Sequence, residues 1–304
     1  MEYLKIDGEF PRLTNCAVTM GKFDGIHRGH QKLVERIKER KALGEQSVLF
    51  AIDASSNMIL TSEERASLLD VLGVDVLVEC QLNDRIRHMK AENFIKEILM
   101  GDLGASYVVV GEDNRFGFER KGTPELLVEF GRKYGFDVEI LSKEMDGHRK
   151  ISSTYIREEL KKGNMEKVTT LMGRDYFVEG QVVHGRGMGH KVLLPTTNIV
   201  PPKTKILPPN GVYVTSSYFG DKVYHGITNI GYKPTVGESF LGVETYLFDC
   251  REDLYGADCR VDFKKFLRPE KKFPSLEALK ARLLADAENG RKYFECEATA
   301  FMSK

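Results

Sequence analysis

Across the first half of the chain, short apolar runs alternate with amphipathic stretches, and this alternation restricts the fold more than any other feature. Cys16–Met20 predicts a strand; a glycine-containing turn and a helix from about Gln31 to Leu43 follow it. Ser47–Ile52 predicts the next strand. Thr61-Ser62-Glu63-Glu64 has the form of a capping box, in which a hydroxyl and a carboxylate satisfy each other's backbone amides. It opens a helix running through Leu68, Leu69 and Leu72 to Gly73. Asp75–Glu79 predicts a third strand, and Phe94, Ile95, Ile98 and Leu99 fall on one face of the helix after it. Tyr107–Val110 is almost wholly apolar, as a strand buried on both faces should be. Thr123-Pro124 starts a helix that Gly135 closes, because proline is tolerated at a first helical position and glycine ends the last turn. Val138–Leu141 predicts a fifth strand and Ser152–Leu160 a further helix. Such strand–helix alternation implies a doubly wound α/β domain, a parallel sheet with helices on its faces. Sheets of this kind bind ligands beyond the C-terminal ends of their strands.

The pattern changes after Met172. Phe177–Val183, Val212–Tyr218, Val223–Ile230, Val243–Asp249 and Arg260–Phe266 are short strand candidates, several alternating apolar with polar residues. Turn residues at Gly185–Gly189, Pro201-Pro202, Pro208–Gly211 and Gly220-Asp221 separate them. The second half therefore reads as an antiparallel barrel or sandwich. Ser275–Asn289 is its one long predicted helix, with Leu276, Leu279 and Leu283 on one face. The expected domains are residues 1–173 and 174–304, a division that suits a chain of 304 residues.

Charge and cysteine content narrow the function classes. Forty-five basic and 45 acidic side chains cancel, so no chain-wide attraction to nucleic acid or anionic lipid is expected. No apolar stretch approaches the ~20 residues that span a bilayer, and Met1–Lys5 lacks the apolar core of a secretion signal. Five scattered cysteines, Cys16, Cys80, Cys250, Cys259 and Cys296, contain no Cys-x-x-Cys pair. A cytoplasmic protein acting on small molecules, as a monomer or a homo-oligomer, is the expectation.

The chemistry concentrates after the first strand. His27-Arg28-Gly29-His30 stands at the entrance of a helix, where backbone amides and the helix dipole favour a phosphate. Two imidazoles three residues apart can donate to one anion and stabilise charge on a phosphate leaving group. Gly25 and Gly29 leave room for close backbone approach. Two histidines at this spacing could also ligate zinc, but no third ligand is evident. In Ile151-Ser152-Ser153-Thr154-Tyr155-Ile156-Arg157, hydroxyls precede a helix and an arginine follows a turn later. That arrangement suits a triphosphate clamp, and it also suits an ordinary serine-capped helix with a solvated arginine.

Gly21-Lys22-Phe23-Asp24-Gly25-Ile26-His27-Arg28-Gly29-His30 resembles the signature of the bacterial bifunctional riboflavin kinase/FAD synthetase family. The family's N-terminal domain has the Rossmann-like nucleotidylyltransferase fold. Gly111-Glu112-Asp113-Asn114-Arg115-Phe116-Gly117 is similar to its Gly-x-Asp-Phe-x-Phe-Gly, and Ile151–Arg157 matches its Ile-Ser-Ser-Thr-x-Ile-Arg. The resemblance implies catalytic roles for His27, His30 and Arg157. It implies ATP contacts from Gly21, Phe23, Asp24, Gly25, Gly29, Ser152, Ser153 and Thr154, and flavin contacts from Gly111, Asp113, Asn114 and Phe116. The implied reaction is attack of the FMN phosphate on the α-phosphorus of ATP, giving FAD and pyrophosphate. Two departures fall on the flavin side: Asp53–Asn57 stands where Phe-x-Pro-His-Pro is usual, and Asn114 replaces an aromatic residue.

The second half resembles the family's riboflavin kinase domain, a β-barrel. Pro195-Thr196-Thr197-Asn198 is similar to its Pro-Thr-Ala-Asn motif, and Asn229–Thr235, Val243-Glu244, Asp249 and Leu254-Tyr255-Gly256 also follow its pattern. By resemblance Thr196 and Asn198 hold Mg²⁺, Glu244 is the general base, and Gly185, Gly187, Gly189 and Pro195 contact the kinase's nucleotide. His190 and Leu193 replace the usual arginine and glycine before that motif. The leading reading is synthesis of FMN from riboflavin, then of FAD. The alternatives are an FMN adenylyltransferase with a degenerate kinase domain, a flavin-binding regulator without turnover, and a transferase acting on another phosphorylated acceptor.

Overall fold

The computed structural model describes residues 1–52, 57–184, 196–234 and 239–302. The chain forms two compact units, Met1–Ser153 and Thr154–Lys304.

In the first unit, strands β1 (Glu2–Ile6), β2 (Cys16–Gly21), β3 (Gln46–Ile52), β4 (Val76–Cys80), β5 (Ala105–Gly111) and β6 (Asp137–Leu141) make one sheet. Every pairing is parallel, in the order β1-β4-β3-β2-β5-β6. The strand the sequence reading lacks is β1. It lies at the sheet edge, and Glu2-Tyr3-Leu4-Lys5-Ile6 carries only a weak alternation. Successive strands step outward from β2 toward β4 and then jump to β5 on its other side, which makes the β2/β5 seam the point where strand order reverses.

Helices α1 (Arg28–Glu39), α2 (Ser62–Val71), α3 (Asp84–Arg87), α4 (Ala91–Asn93) and α5 (Pro124–Tyr134) connect the strands. Immediately after α4 the backbone continues in a wider π-type turn over Phe94–Asp102. Thr61 and Glu64 form the expected capping box, and Thr123 caps α5 with Pro124 in its first turn. On one sheet face, Val18, Phe50, Val78 and Val108 pack against Phe94, Ile95, Ile98, Leu127 and Phe130. This core fixes β2 and β5 side by side, and with them the loops at their C-terminal ends.

The second unit begins with α6, whose helical span is Ser153–Lys162, and α7 (Met165–Met172). Strands β9 (Tyr176–Gln181), β10 (Thr196–Ile199), β11 (Gly211–Phe219), β12 (Lys222–Pro234), β13 (Ser239–Leu247) and β14 (Asp258–Pro269) follow; β7 (Met145–Asp146) and β8 (Arg149–Lys150) are a small hairpin in the first unit. The six long strands form one antiparallel sheet in the order β10-β13-β12-β11-β14-β9. Irregularities in the β11–β14 pairing bend it. Just past β9, the Val183 amide donates to the Asn198 carbonyl of β10 at 2.8 Å, so the opposite edges meet and the sheet curls into a half-barrel.

The final helix, α8, spans Leu276–Met302, longer than the predicted Ser275–Asn289, and turns inward the face that leucine spacing predicts, with Leu279 and Leu283 half-buried on it. Leu276 is exposed, whereas Asp286, Ala287 and Gly290 are buried. Asp286 accepts the Arg268 guanidinium at 2.6–3.1 Å, and a Cβ at Gly290 would lie 2.9 Å from Phe248. A buried ion pair and one close approach continue the leucine stripe at Asp286 and Gly290, at i, i+3/i+4 spacing.

Candidate active sites

The first site forms where β2 gives way to α1. Strand pairing ends at Gly21, opposite Ala51. The next turn has left-handed backbone at Phe23 (φ 45°), Gly25 (φ 98°) and Ile26 (φ 41°). Gly25 is needed here for its conformation and for space, since a Cβ would sit 3.1 Å from Ile59. Asp24 is buried, and its carboxylate accepts from the Ile59 amide at 2.8 Å. Asp24 and Gly25 thus stand behind the site and shape it.

His27 is the N-cap of α1, and its Nδ1 accepts from the His30 amide at 3.3 Å. With Nδ1 as acceptor, the neutral ring carries its proton on Nε2. The two imidazoles stack with centroids 3.7 Å apart and planes 18° apart, and Phe23 lies 4.8 Å from the His30 ring. Gly29 makes this stack possible, because a Cβ there would meet the His27 ring at 3.3 Å. Arg28 pairs with Glu144 at 2.5 Å, and Lys32 pairs with the same carboxylate. The hydrogen bond from Lys32 and the nearby Arg28 hold the Glu144 carboxyl below the usual carboxylate range.

A cleft of about 580 Å³ opens at this point in the first unit. Gly21, Phe23, His27, Gly29 and His30 line one side, and Gly111, Asp113, Asn114 and Phe116 after β5 line another. Ser152 and Ser153 complete it from the start of α6. Three segments distant in sequence therefore bring one set of predicted residues together. Thr154 and Arg157 lie further along α6, in the second unit. The sequence reading passes over Lys22, Arg115, Arg120 and Lys143, which add positive charge to the cleft wall. Their signal, single basic residues in loops after strands, is too common to find alone. Donors at a helix N-terminus, two stacked imidazoles and a cationic wall suit a polyphosphate.

The second site lies on the half-barrel. Antiparallel register sets Asn198 of β10 opposite Glu244 of β13, and Glu244 in turn opposite Asn229 of β12. The Thr196 hydroxyl donates to Glu244 Oε1 at 3.1 Å. Thr196, Asn198 and Glu244 thus form one oxygen-rich group on neighbouring strands, with Asn229 as a neighbour that motif reading does not single out. A hydroxyl, an amide oxygen and a carboxylate are hard donors that fit Mg²⁺. Gly185, Gly187, Gly189, His190, Leu193 and Pro195 lie outside the described residues, as do Asp53–Ser56 and Thr235.

Comparison with known proteins matches both halves of the chain. A family model described as FAD synthetase matches residues 10–155, and one described as riboflavin kinase matches residues 172–294. A bifunctional riboflavin kinase/FMN adenylyltransferase of Escherichia coli K12 is 34% identical over 291 residues, covering 92% of this chain and 93% of that protein. Proteins of the same description from Pseudomonas fluorescens and Bacillus subtilis are 34% and 31% identical, covering 92% and 91% of this chain and 94% and 92% of their own. A solved Streptococcus pneumoniae structure, described as a macrolide-efflux protein, superposes with a TM-score of 0.85 at 27% identity, covering 96% of this chain and 99% of that one. Among the described residues no helix is long and apolar enough to cross a membrane. With both halves matched in order, over nearly the full length of its relatives, this chain belongs to the bifunctional riboflavin kinase/FMN adenylyltransferase family.

Proposed function

We propose that the first-unit cleft transfers the adenylyl group and that the Glu244 group phosphorylates riboflavin, so that the chain makes FAD by way of FMN. Two ATP are consumed. In the kinase step the riboflavin hydroxyl attacks the γ-phosphorus, its proton passes to Glu244, and ADP leaves. The hydrogen bond from Thr196 orients the carboxylate for this. Thr196 and Asn198 would hold Mg²⁺, which neutralises triphosphate charge.

In the second step an FMN phosphate oxygen attacks the α-phosphorus of ATP. The bond to the β-phosphate breaks and pyrophosphate leaves. An ionised phosphate nucleophile needs no base, so the site supplies positioning and charge stabilisation. Hydrogen bonds from His27, His30 and the α1 amides are assigned to the phosphates, with Gly21, Phe23, Gly29, Ser152 and Ser153 lining the ATP side. Asp24 and Gly25 serve by shaping the turn. Thr154 and Arg157 are assigned to the triphosphate, and Gly111, Asp113, Asn114 and Phe116 to the flavin. The functional division is placed at 173/174. Five free thiols support work in a reducing cytoplasm.

The observation that carries the reading is the His27–His30 stack at the mouth of α1, on the seam where strand order reverses. His30→Ala tests it. FAD formation from FMN and ATP should fall by at least about 100-fold, with FMN formation from riboflavin retained. Unchanged FAD formation would remove the assignment.

A further inference from the structure

From Met20, at the end of β2, into the signature segment, alternate carbonyls are taken up by side chains. Met20 accepts from Asn114 Nδ2 at 2.9 Å, Lys22 from Arg65 Nη1 at 3.4 Å, and Asp24 from Ser153 Oγ at 2.6 Å. The donors come from the turn after β5, from α2 and from the start of α6. Phe23 lies between two of these carbonyls and, like Ile26, holds a left-handed backbone without being glycine. Such backbone is strained and persists only where its surroundings over-determine it.

Arg65 is the unusual member. It is wholly buried on α2, and its charge is met by Glu79 of β4. Glu79 also accepts from Ser62 Oγ at 2.6 Å and Tyr3 Oη at 3.2 Å. A buried ion pair is weak evidence of a contribution to stability, because well-packed apolar residues of similar volume often do as well. Apolar residues cannot, however, donate to the Lys22 carbonyl.

We propose that Arg65 is a positioning residue for adenylyl transfer, holding through the Lys22 carbonyl the turn that sets His27 and His30. The proposal rests on the reading of this cleft as the adenylyl-transfer site. Glu79 orients the guanidinium, and Asn114 and Ser153 fix the carbonyls on either side. Asn114 thereby gains a role its place in a flavin motif does not suggest.

The test compares the full-length protein with Arg65→Met/Glu79→Leu and Arg65→Lys. It measures kcat and KM for FAD formation from FMN and Mg-ATP, FMN formation from riboflavin, and thermal unfolding. The double substitution removes both buried charges together, so the fold is expected to survive. Misplacement of the imidazoles should lower kcat for FAD formation by about 100-fold. KM for ATP and FMN should change less than about three-fold, because the lost interaction acts in the transition state. FMN formation should be unchanged. A folded double variant with wild-type kcat would overturn the proposal, as would parallel losses in kcat, KM and unfolding temperature, which mark a structural role alone. If the double variant does not fold, Arg65→Lys decides. Its shorter side chain keeps a cation for Glu79 but cannot serve both partners as the forked guanidinium does. Lowered kcat at steady KM supports positioning, and wild-type kcat refutes it. A wild-type protein that makes no FAD from FMN would instead defeat the underlying reading, before any substitution is compared.

Discussion

Glu244 lies between Asn198 and Asn229 on three adjacent strands and accepts from Thr196. As the proposed base of the kinase step it needs its carboxylate, which an amide of the same shape does not supply. Glu244→Gln should lower FMN formation from riboflavin by about 100-fold or more and leave FAD formation from added FMN untouched. Chromatography of the flavin products measures both rates in one sample. At the other site Gly25 offers a stability test. With φ at 98° and Ile59 3.1 Å from a prospective Cβ, Gly25→Ala should cost at least about 1 kcal/mol in denaturant unfolding. A neutral result would contradict the account of that turn. Single residues also show what a sequence yields. His27 and His30 were legible because a helix entrance after a strand gives phosphate chemistry a place. Asn229 was not, because its position depends on the register of β12 against β13.

Most elements of the first unit are legible in the sequence, with β1, α3 and the β7–β8 hairpin the exceptions. The alternation of apolar runs and amphipathic helices is strong there, and caps at Thr61 and Thr123 mark helix starts. Thr61→Ala should lower stability by about 1 kcal/mol by leaving the Glu64 amide unmatched. In the half-barrel the signal is weaker for a physical reason. Its interior includes hydroxyls, with Thr215, Thr228 and Thr245 buried and joined side to side at 2.7 Å, so inward positions do not all read as apolar. Strand β10, four residues long, carried no strand signal. Between elements, Glu144 clamps α1 through Arg28 and Lys32. Because its folded pKa lies below the unfolded value, the clamp stabilises fully above the unfolded carboxylate pKa, about 4.3. That stabilisation fades as pH falls through the lowered folded pKa. Wild type should therefore be more stable than Glu144→Gln near neutrality, and the gap should close on acidification. Urea midpoints that keep the same gap down to about pH 3 would contradict this.

At the scale of the molecule, both units contribute buried thiols. Burial pushes Cys16 and Cys80 up to about 11 and Cys259 up to about 12. Cys296 is exposed and Cys250 half-buried. Alkylation of the native protein at pH about 8 should mark Cys296 and Cys250, leaving the other three until denaturation. Mass spectrometry of the peptides reads this out, and early modification of Cys16 or Cys80 would contradict the packing described. The two sites belong to one synthesis, riboflavin to FMN to FAD, on a chain whose relatives carry both names. The most direct measurement of that claim is a time course with riboflavin and Mg-ATP as the only substrates. FMN should rise first and then give way to FAD, with one pyrophosphate released for each FAD formed. Riboflavin left unconverted, or FMN accumulating with no FAD, would contradict the account.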